Sequence, residues 1–314
     1  MLNRYLREFS SSAMKQITMN ELRGKKIAID VSIFMYQFKG NEKLLESMYN
    51  MIMLFRDYNV IPVFIFDGAP PDEKLEVLNE RDASKKHAKE VCKKLENELR
   101  ENEKLDNQEK KRIEIELNNE KKKCLRITNA NIRSVKELMN VLGVNYLVAE
   151  GEADDLCVYL VKKRIVWACM TEDMDMFVYG CQRVLRNFNL EKGTMTLYSM
   201  IEILKNLNMN QFEFRDVCLL AGTDYNRSKY TIYTSMGYFY KYLKKKKDTM
   251  GFYDWLKFTK IINSDDITIL KKSRDIFTKV AYNDISLKLT NKRILKEEVE
   301  DYMKKYDINY LTNV

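Results

Sequence analysis

Histidine is almost absent. His87 stands alone among 314 residues, and the six cysteines (Cys92, Cys124, Cys157, Cys169, Cys181 and Cys218) form no C-x-x-C pair. Histidine general-base chemistry and a structural zinc site are therefore both disfavoured. Several of the cysteines sit in apolar company, as reduced thiols do in an intracellular protein. No run approaches the roughly 20 apolar residues a membrane helix needs, and there is no secretory h-region. Met1 to Gln16 carries Arg4, Arg7, Lys15 and Ser10 to Ser12, the make-up of an organelle transit peptide, but it also carries Glu8. A first helix packed on the fold is expected there. Glycine and proline are missing altogether between Asp72 and Arg126, where Glu, Lys and Asn dominate and aromatics are few. That disfavours a disordered linker without excluding it. Neither an internal repeat nor a low-complexity tail is present.

What is there suits one large domain with a real core. The chain is 45% hydrophobic and 32% charged, with a formal net charge of +8. Short apolar runs at Lys26 to Ile29, Ile61 to Phe66, Asn145 to Val148 and Val166 to Met170 have the character of strands buried on both faces. Helical spacing lies between them, as in Leu44, Met48, Met51, Ile52 and Phe55, or Val135, Leu138, Met139 and Leu142 before Gly143. This alternation predicts an α/β fold, a doubly wound and mostly parallel central sheet. In residues 72–126 the apolar positions Leu95, Leu99, Leu105, Ile113, Ile115 and Leu117 are too sparse for a core, so long solvated helices standing off the sheet as a hairpin are expected. From Gln211 onward the chain reads helical and basic, through Lys241 to Lys247 and a closing segment from Glu297 to Tyr306. The expected organisation is a single domain over 1–314, with an insert at 72–126 and a C-terminal helical region at 216–314.

Acidic residues recur where apolar runs stop. Asp30 follows Lys26 to Ile29, Asp67 follows Val63 to Phe66, Glu150 and Glu152 follow Tyr146 to Ala149, and Asp224 follows Cys218 to Ala221; Asp173 and Asp175 stand in Thr171-Glu172-Asp173-Met174-Asp175. Ligands of open parallel sheets bind beyond the carboxyl ends of the strands, so acids from distant parts of the chain are expected to converge there. Two like charges about 4 Å apart repel by roughly 4 kcal/mol at an effective dielectric near 20, and a cluster multiplies that cost. Divalent cations relieve it, and carboxylate oxygens are what Mg²⁺ or Mn²⁺ prefer. A basic exterior around such a pocket suits a polyanion held by its phosphates.

Singly, each acid reads as a solvated loop residue, and acids at a helix start are common because the macrodipole favours them. Four of them within Glu150 to Asp155 exceed what capping requires. On a helix, Glu152 and Asp155 share one flank, and Glu150 and Asp154 the other. Asp173 and Asp175, two apart, point to one side if the backbone is extended. Lys74 and Arg81 lie seven residues apart, close to two helical turns, so both cations share a face turned toward the acids. An ammonium and a bidentate guanidinium together are suited to gripping a scissile phosphate. Tyr36, soon after Asp30, is placed to stack on a nucleobase.

Ala28-Ile29-Asp30-Val31-Ser32, Val63 to Pro71, Glu150-Gly151-Glu152-Ala153, Thr171 to Asp175 and Leu219 to Tyr225 (LLAGTDY) resemble the ordered motif series of the flap endonuclease and XPG structure-specific nuclease family. The likeness runs from about Leu22 to Tyr225, interrupted by the charged insert. It implies a PIN-like nuclease core, with Asp30, Asp67, Glu150 and Glu152 serving mainly one Mg²⁺ or Mn²⁺ ion and Asp173, Asp175 and Asp224 mainly a second. It implies that Lys74 and Arg81 project from a helical gateway onto the scissile phosphate, that Tyr36 stacks near the entering nucleotide, and that the insert arches over a threaded 5′ strand. The spelling Glu152-Ala153-Asp154-Asp155 is similar to the phage and bacterial 5′ exonuclease branch, which makes Asp154 and Asp155 secondary ligand candidates.

Departures exist. The eukaryotic family begins Met-Gly-Ile, whereas Met1-Leu2-Asn3 stands here. The family's Gly-Ile-Gly turn after the last acid is replaced by Lys229 to Gly237, and glycines that permit close backbone approach to duplex phosphate are missing. Lys244, Lys245 and Lys246 are candidates for restoring that DNA contact electrostatically. No sliding-clamp motif is visible in the tail.

The implied activity is a metal-dependent structure-specific 5′ nuclease acting on flapped, gapped or nicked DNA, expected as a monomer without membrane association, at a nuclear or cytoplasmic site of replication or repair. Two other readings stay open: a D-x-D phosphatase of small molecules, and a catalytically inactive scaffold that kept the fold to bind nucleic acid.

Overall fold

The computed structural model describes residues 1–314 except 72–73, 102–105, 246–249, 280–281, 283–288 and 309–314, and the side chains of 75, 76 and 78. A seven-stranded sheet organises the chain. Its strands are β1 (Met14–Thr18), β2 (Lys26–Asp30), β3 (Ile61–Phe66), β4 (Asn145–Val148), β5 (Ala168–Met170), β6 (Arg183–Asn189) and β7 (Thr194–Ser199), in the spatial order β1-β7-β6-β5-β2-β3-β4. Strands β2 to β6 run parallel, while β7 and then β1 add on antiparallel.

Side-chain alternation divides the core in two. Ala28, Val63, Ile65 and Cys169 face one side, where the helices Ala153–Lys162, Gln211–Ala221 and Ile232–Lys245 pack. Ile27, Ile29, Phe64, Phe66 and Met170 face the other, covered by Val31–Gly40, Leu44–Asp57 and Asn129–Val141. The sheet is thus doubly wound, as the sequence pattern predicts. The four expected strands are present, β5 starting two residues later than the apolar run.

Three strands were not anticipated. β6 carries Arg183, Arg186, Asn187 and Asn189, a composition that hides it, and β1 buries only Ile17 because it lies at the sheet edge. Arg186 is tolerated in β6 because its guanidinium bonds the Glu172 carbonyl at 2.7 Å and lies 3.2 Å from the Glu172 carboxylate.

Helices Leu75–Glu101 and Asn107–Lys123 pair through a small contact of Cys92, Leu95 and Leu117. Their remaining surface is charged, and Ile115 is exposed. Helix Leu2–Phe9 buries Tyr5 and Leu6. The last described helix, Lys296–Lys305, leaves the C-terminal helical cluster and docks on Asn129–Val141 across the sheet. There the Tyr302 hydroxyl donates to the Ser134 carbonyl at 2.8 Å and Lys305 pairs with Glu137 at 2.6 Å. On the way, the Lys292 amide donates to the Gly143 carbonyl at 2.8 Å and Asn145 donates to the Thr290 carbonyl at 3.1 Å, covering the edge beside β4.

Candidate active site

The carboxyl ends of β2, β3 and β5 open into two joined hollows. One, about 400 Å³, is lined by Asp30, Asp67, Lys74, Glu152, Asp154 and Asp173, with Tyr36 and Arg81 at its rim. The other, about 850 Å³, shares Arg81 and Asp173 and adds Asp175 and Asp224.

Each acid is held by a local device. Asp30 ends β2 and caps the helix Val31–Gly40, accepting from the Ser32 amide at 3.2 Å and from the Thr171 hydroxyl at 3.0 Å. Asp67 accepts from the Ser32 hydroxyl at 2.5 Å and from the Ala153 amide at 2.9 Å, so it ties the end of β3 to the start of helix Ala153–Lys162. That junction demands a glycine next to it. A Cβ on Gly68 would lie 2.1 Å from the Ala149 carbonyl oxygen, because the Gly68 amide donates to the Gly151 carbonyl at 2.7 Å. Glu152 accepts from the Lys74 ammonium on one oxygen and from the Tyr225 hydroxyl on the other. Asp224 accepts from Arg81 at 2.8 Å and faces Lys74 at 3.6 Å.

The structure corrects several sequence-based expectations. Asp173-x-Asp175 is not extended: Met174 is in the helical region, and the Asp175 amide donates to the Asp173 carboxylate at 2.7 Å. The two carboxylates meet through this turn and the start of helix Asp175–Tyr179, not through a strand pleat. The run before Asp224 is the end of helix Gln211–Ala221, closed by Gly222 at φ +95°. Glu152 stands at the N-cap position with extended backbone and is not part of the helix, so the expected pairing of flanks changes. Asp154 joins Glu152 in the smaller hollow, while Asp155 lines neither hollow and leaves a carboxylate oxygen buried without a hydrogen-bond partner. Glu150 is exposed and lines neither hollow. Lys244 and Lys245 are exposed at the end of helix Ile232–Lys245, and Lys246 lies outside the described residues. Tyr36 is 41% exposed, with the Lys85 ammonium 5.9 Å from its ring centre.

Four supporting residues escaped the sequence reading. Ser32 and Thr171 had a signal, small hydroxyls beside strand-end acids. Arg186, which holds the loop at Glu172, and Tyr225, which reaches Glu152, had none.

Charge within the hollows is unbalanced. Burial and then Asp67 push the Asp30 carboxyl up to about 7, and burial followed by Asp173 pushes Asp175 up to about 8. Burial raises Asp173 and, further still, Asp154, one of whose oxygens is buried with no hydrogen-bond partner. Burial works against the Lys74 ammonium, but Glu152 and Asp224 outweigh it and its pKa rises. Lys74 and Arg81 do not neutralise this many acids. Among the described residues no three acids are drawn together as a closed ligand set, Lys74 and Arg81 standing between them. The donor chemistry is nevertheless all carboxylate, and an oxygen of Asp154, which lines the smaller hollow, is buried without a partner, which fits hard divalent cations.

Residues 2–88 match the XPG N-terminal domain and residues 143–224 the XPG I-region. The flap endonuclease 1 of Encephalitozoon cuniculi is 31% identical over 245 residues, an overlap of 71% of this chain and 66% of that protein. The flap endonuclease 1 of Plasmodium knowlesi is 26% identical, and the overlap spans only 41% of its length. Two solved structures share the fold. Flap endonuclease-1 from Methanococcus jannaschii aligns with a TM-score of 0.65 at 22% identity over 95% of this chain and 91% of its own, and the catalytic core of Rad2 in complex with DNA substrate aligns at 0.66 and 19% identity, over 95% and 93%.

Proposed function

The chain belongs to the XPG and flap endonuclease family of structure-specific nucleases, and from that footing we propose that it is a divalent-metal-dependent 5′ nuclease that hydrolyses phosphodiesters in branched or flapped DNA. The observation that carries the reading is the meeting of Asp30, Asp67, Glu152, Asp173, Asp175 and Asp224 around Lys74 and Arg81. Asp30, Asp67 and Glu152, with Glu150 nearby in sequence, would hold one Mg²⁺ or Mn²⁺, and Asp173, Asp175 and Asp224 the second; Asp154 and Asp155 are further candidates. When bound, such ions supply acidified water as nucleophile and stabilise the leaving oxygen.

The protein's own residues do the rest. Lys74 and Arg81, paired with acids when no substrate is present, turn to the non-bridging oxygens of the scissile phosphate and stabilise charge that develops there. Arg81 is about half exposed and Lys74 buried, so the guanidinium has the longer reach into the cleft and the ammonium acts close to where it stands. Tyr36 at the rim offers a stacking face to the nearest base. The helices Leu75–Glu101 and Asn107–Lys123 rise directly behind Lys74 and form a charged wall along which a single strand passes. This reading would put the protein at a nuclear or cytoplasmic site of DNA replication or repair. Among the described residues no helix is long and apolar enough to cross a membrane.

One assay decides. The protein is incubated with a 5′-flap duplex, a plain duplex and p-nitrophenyl phosphate, with Mg²⁺ and with chelator. Mg²⁺-dependent cutting at the flap is expected, lost in Asp175→Asn and reduced about a hundredfold or more in Arg81→Ala. Flap cutting that persists in Asp175→Asn overturns the mechanism; hydrolysis of the small ester alone indicates a phosphatase, and no Mg²⁺-dependent product indicates a binding scaffold.

A further inference from the structure

The cleft is braced from behind by rings that its acids and cations do not account for. Tyr225 sends its hydroxyl to one oxygen of Glu152, whose other oxygen holds Lys74, and the Lys74 ammonium lies 5.6 Å from the centre of the Tyr225 ring. The Tyr225 and Tyr179 hydroxyl oxygens are 3.3 Å apart. Behind both rings sits Phe277, wholly buried, 4.5 Å from Tyr179 and edge-on to Tyr225 at 5.3 Å between ring centres. It belongs to the helix Ser264–Thr278, which Arg274 fastens to both carboxylate oxygens of Asp216 at 2.7 and 2.6 Å. Tyr225 and Phe277 both lie beyond the residues that the two family regions match.

A glutamate has several rotatable bonds, and holding it in one rotamer costs entropy unless its oxygens are claimed. Here each oxygen has its own donor. Lys74, on a flexible four-carbon stem, is in turn located by Glu152 and by the ring face beneath it. We propose that Tyr225 is a positioning residue that sets the orientation of Glu152 and Lys74, and that Phe277 is the strut through which the C-terminal helices hold Tyr225 in place. The inference rests on reading the cleft as a divalent-metal nuclease site, and it concerns how this chain prepares its own side chains for the ion.

Calorimetric titration of Mn²⁺ into the metal-free full chain tests it without recourse to activity. Tyr225→Phe keeps the ring and its packing and removes only the hydroxyl; Mn²⁺ affinity is expected to fall about tenfold, as when an outer-shell partner of a ligand is lost. In a double-mutant cycle the same change made on Glu152→Gln should have no further effect, because the hydroxyl acts through that carboxylate. Phe277→Ala should weaken Mn²⁺ in the same direction and Phe277→Leu, which keeps most of the volume, should restore affinity. Wild-type affinity in Tyr225→Phe, or full additivity with Glu152→Gln, overturns the positioning role. Wild-type affinity in Phe277→Ala overturns the strut. Failure of the unaltered protein to take up Mn²⁺ would overturn the nuclease reading itself, which separates the two cases.

Discussion

Asp30 and Asp175 show what burial does to a carboxylate that has no cation of its own. Their pKa values, about 7 and 8, lie far above the usual range, chiefly from burial and then from neighbouring acids. A raised folded-state value means that the stabilising protonated form is fully present below the unfolded pKa and is lost as pH rises through the folded one. Without metal, the melting temperature should therefore fall from about pH 4 to about pH 8 and level off above it. Mg²⁺ must displace those protons, so its apparent affinity should rise over the same window. Melting curves in chelator and in Mg²⁺ at each pH check both; a flat metal-free profile would show that these acids are not buried together. The acids were legible in the sequence because each follows an apolar run. Their supports were less so: Ser32 and Thr171 stand beside strand-end acids, but which acid each one holds, and that Tyr225 reaches Glu152, depends on contacts made across the fold.

Among the elements, helix Ser264–Thr278 is the one whose importance the sequence concealed. Read along the chain it is one more charged, amphipathic segment far from the acids. In the fold, Arg274 clamps Asp216 of helix Gln211–Ala221, and Phe277, near its end, reaches the tyrosines behind the cleft. Asp216 is buried and pushed up to about 6 by burial in spite of Arg274. Arg274→Ala leaves that acid unpaired. At pH 8 the loss should be about 3–5 kcal/mol, the cost of breaking a buried pair. At pH 5 it should be smaller, because Asp216 then takes up a proton. Urea unfolding at the two pH values measures the difference; equal losses would show that the pair is not what the charge feels. β6 was hidden for a related reason. Its two arginines read as surface residues until the fold supplies Arg186 with the carbonyl and carboxylate of Glu172.

Across the whole molecule a net charge of +8 coexists with an acidic cleft, so the basic excess belongs to the surface that surrounds it. DNA affinity should fall linearly on a log–log plot against salt, each phosphate contact contributing about 0.9 to the slope. Lys244 and Lys245 are exposed and lie on the helix that packs beside Gln211–Ala221. If they touch duplex phosphate, the pair of changes Lys244→Gln and Lys245→Gln should lower the slope by about 1.8 and weaken binding to every DNA sequence alike. An unchanged slope in fluorescence-anisotropy titrations would remove them from the interface.

The sequence by itself determined the doubly wound core, the two solvated helices of the insert and the acids at the ends of β2 and β3, because hydrophobic period and strand-end chemistry are local properties of the chain. Tertiary structure alone decided which acids share a hollow. Asp154 entered the smaller hollow and Glu150 stayed outside, with Glu152 at the N-cap position of its helix, and Asp173 met Asp175 through a turn in place of a pleat. It decided, too, that a phenylalanine late in the chain stands behind the reactive carboxylates. Such facts depend on where backbone elements cross in space, and no local pattern of residue types encodes the distance between side chains that meet only after the sheet has closed.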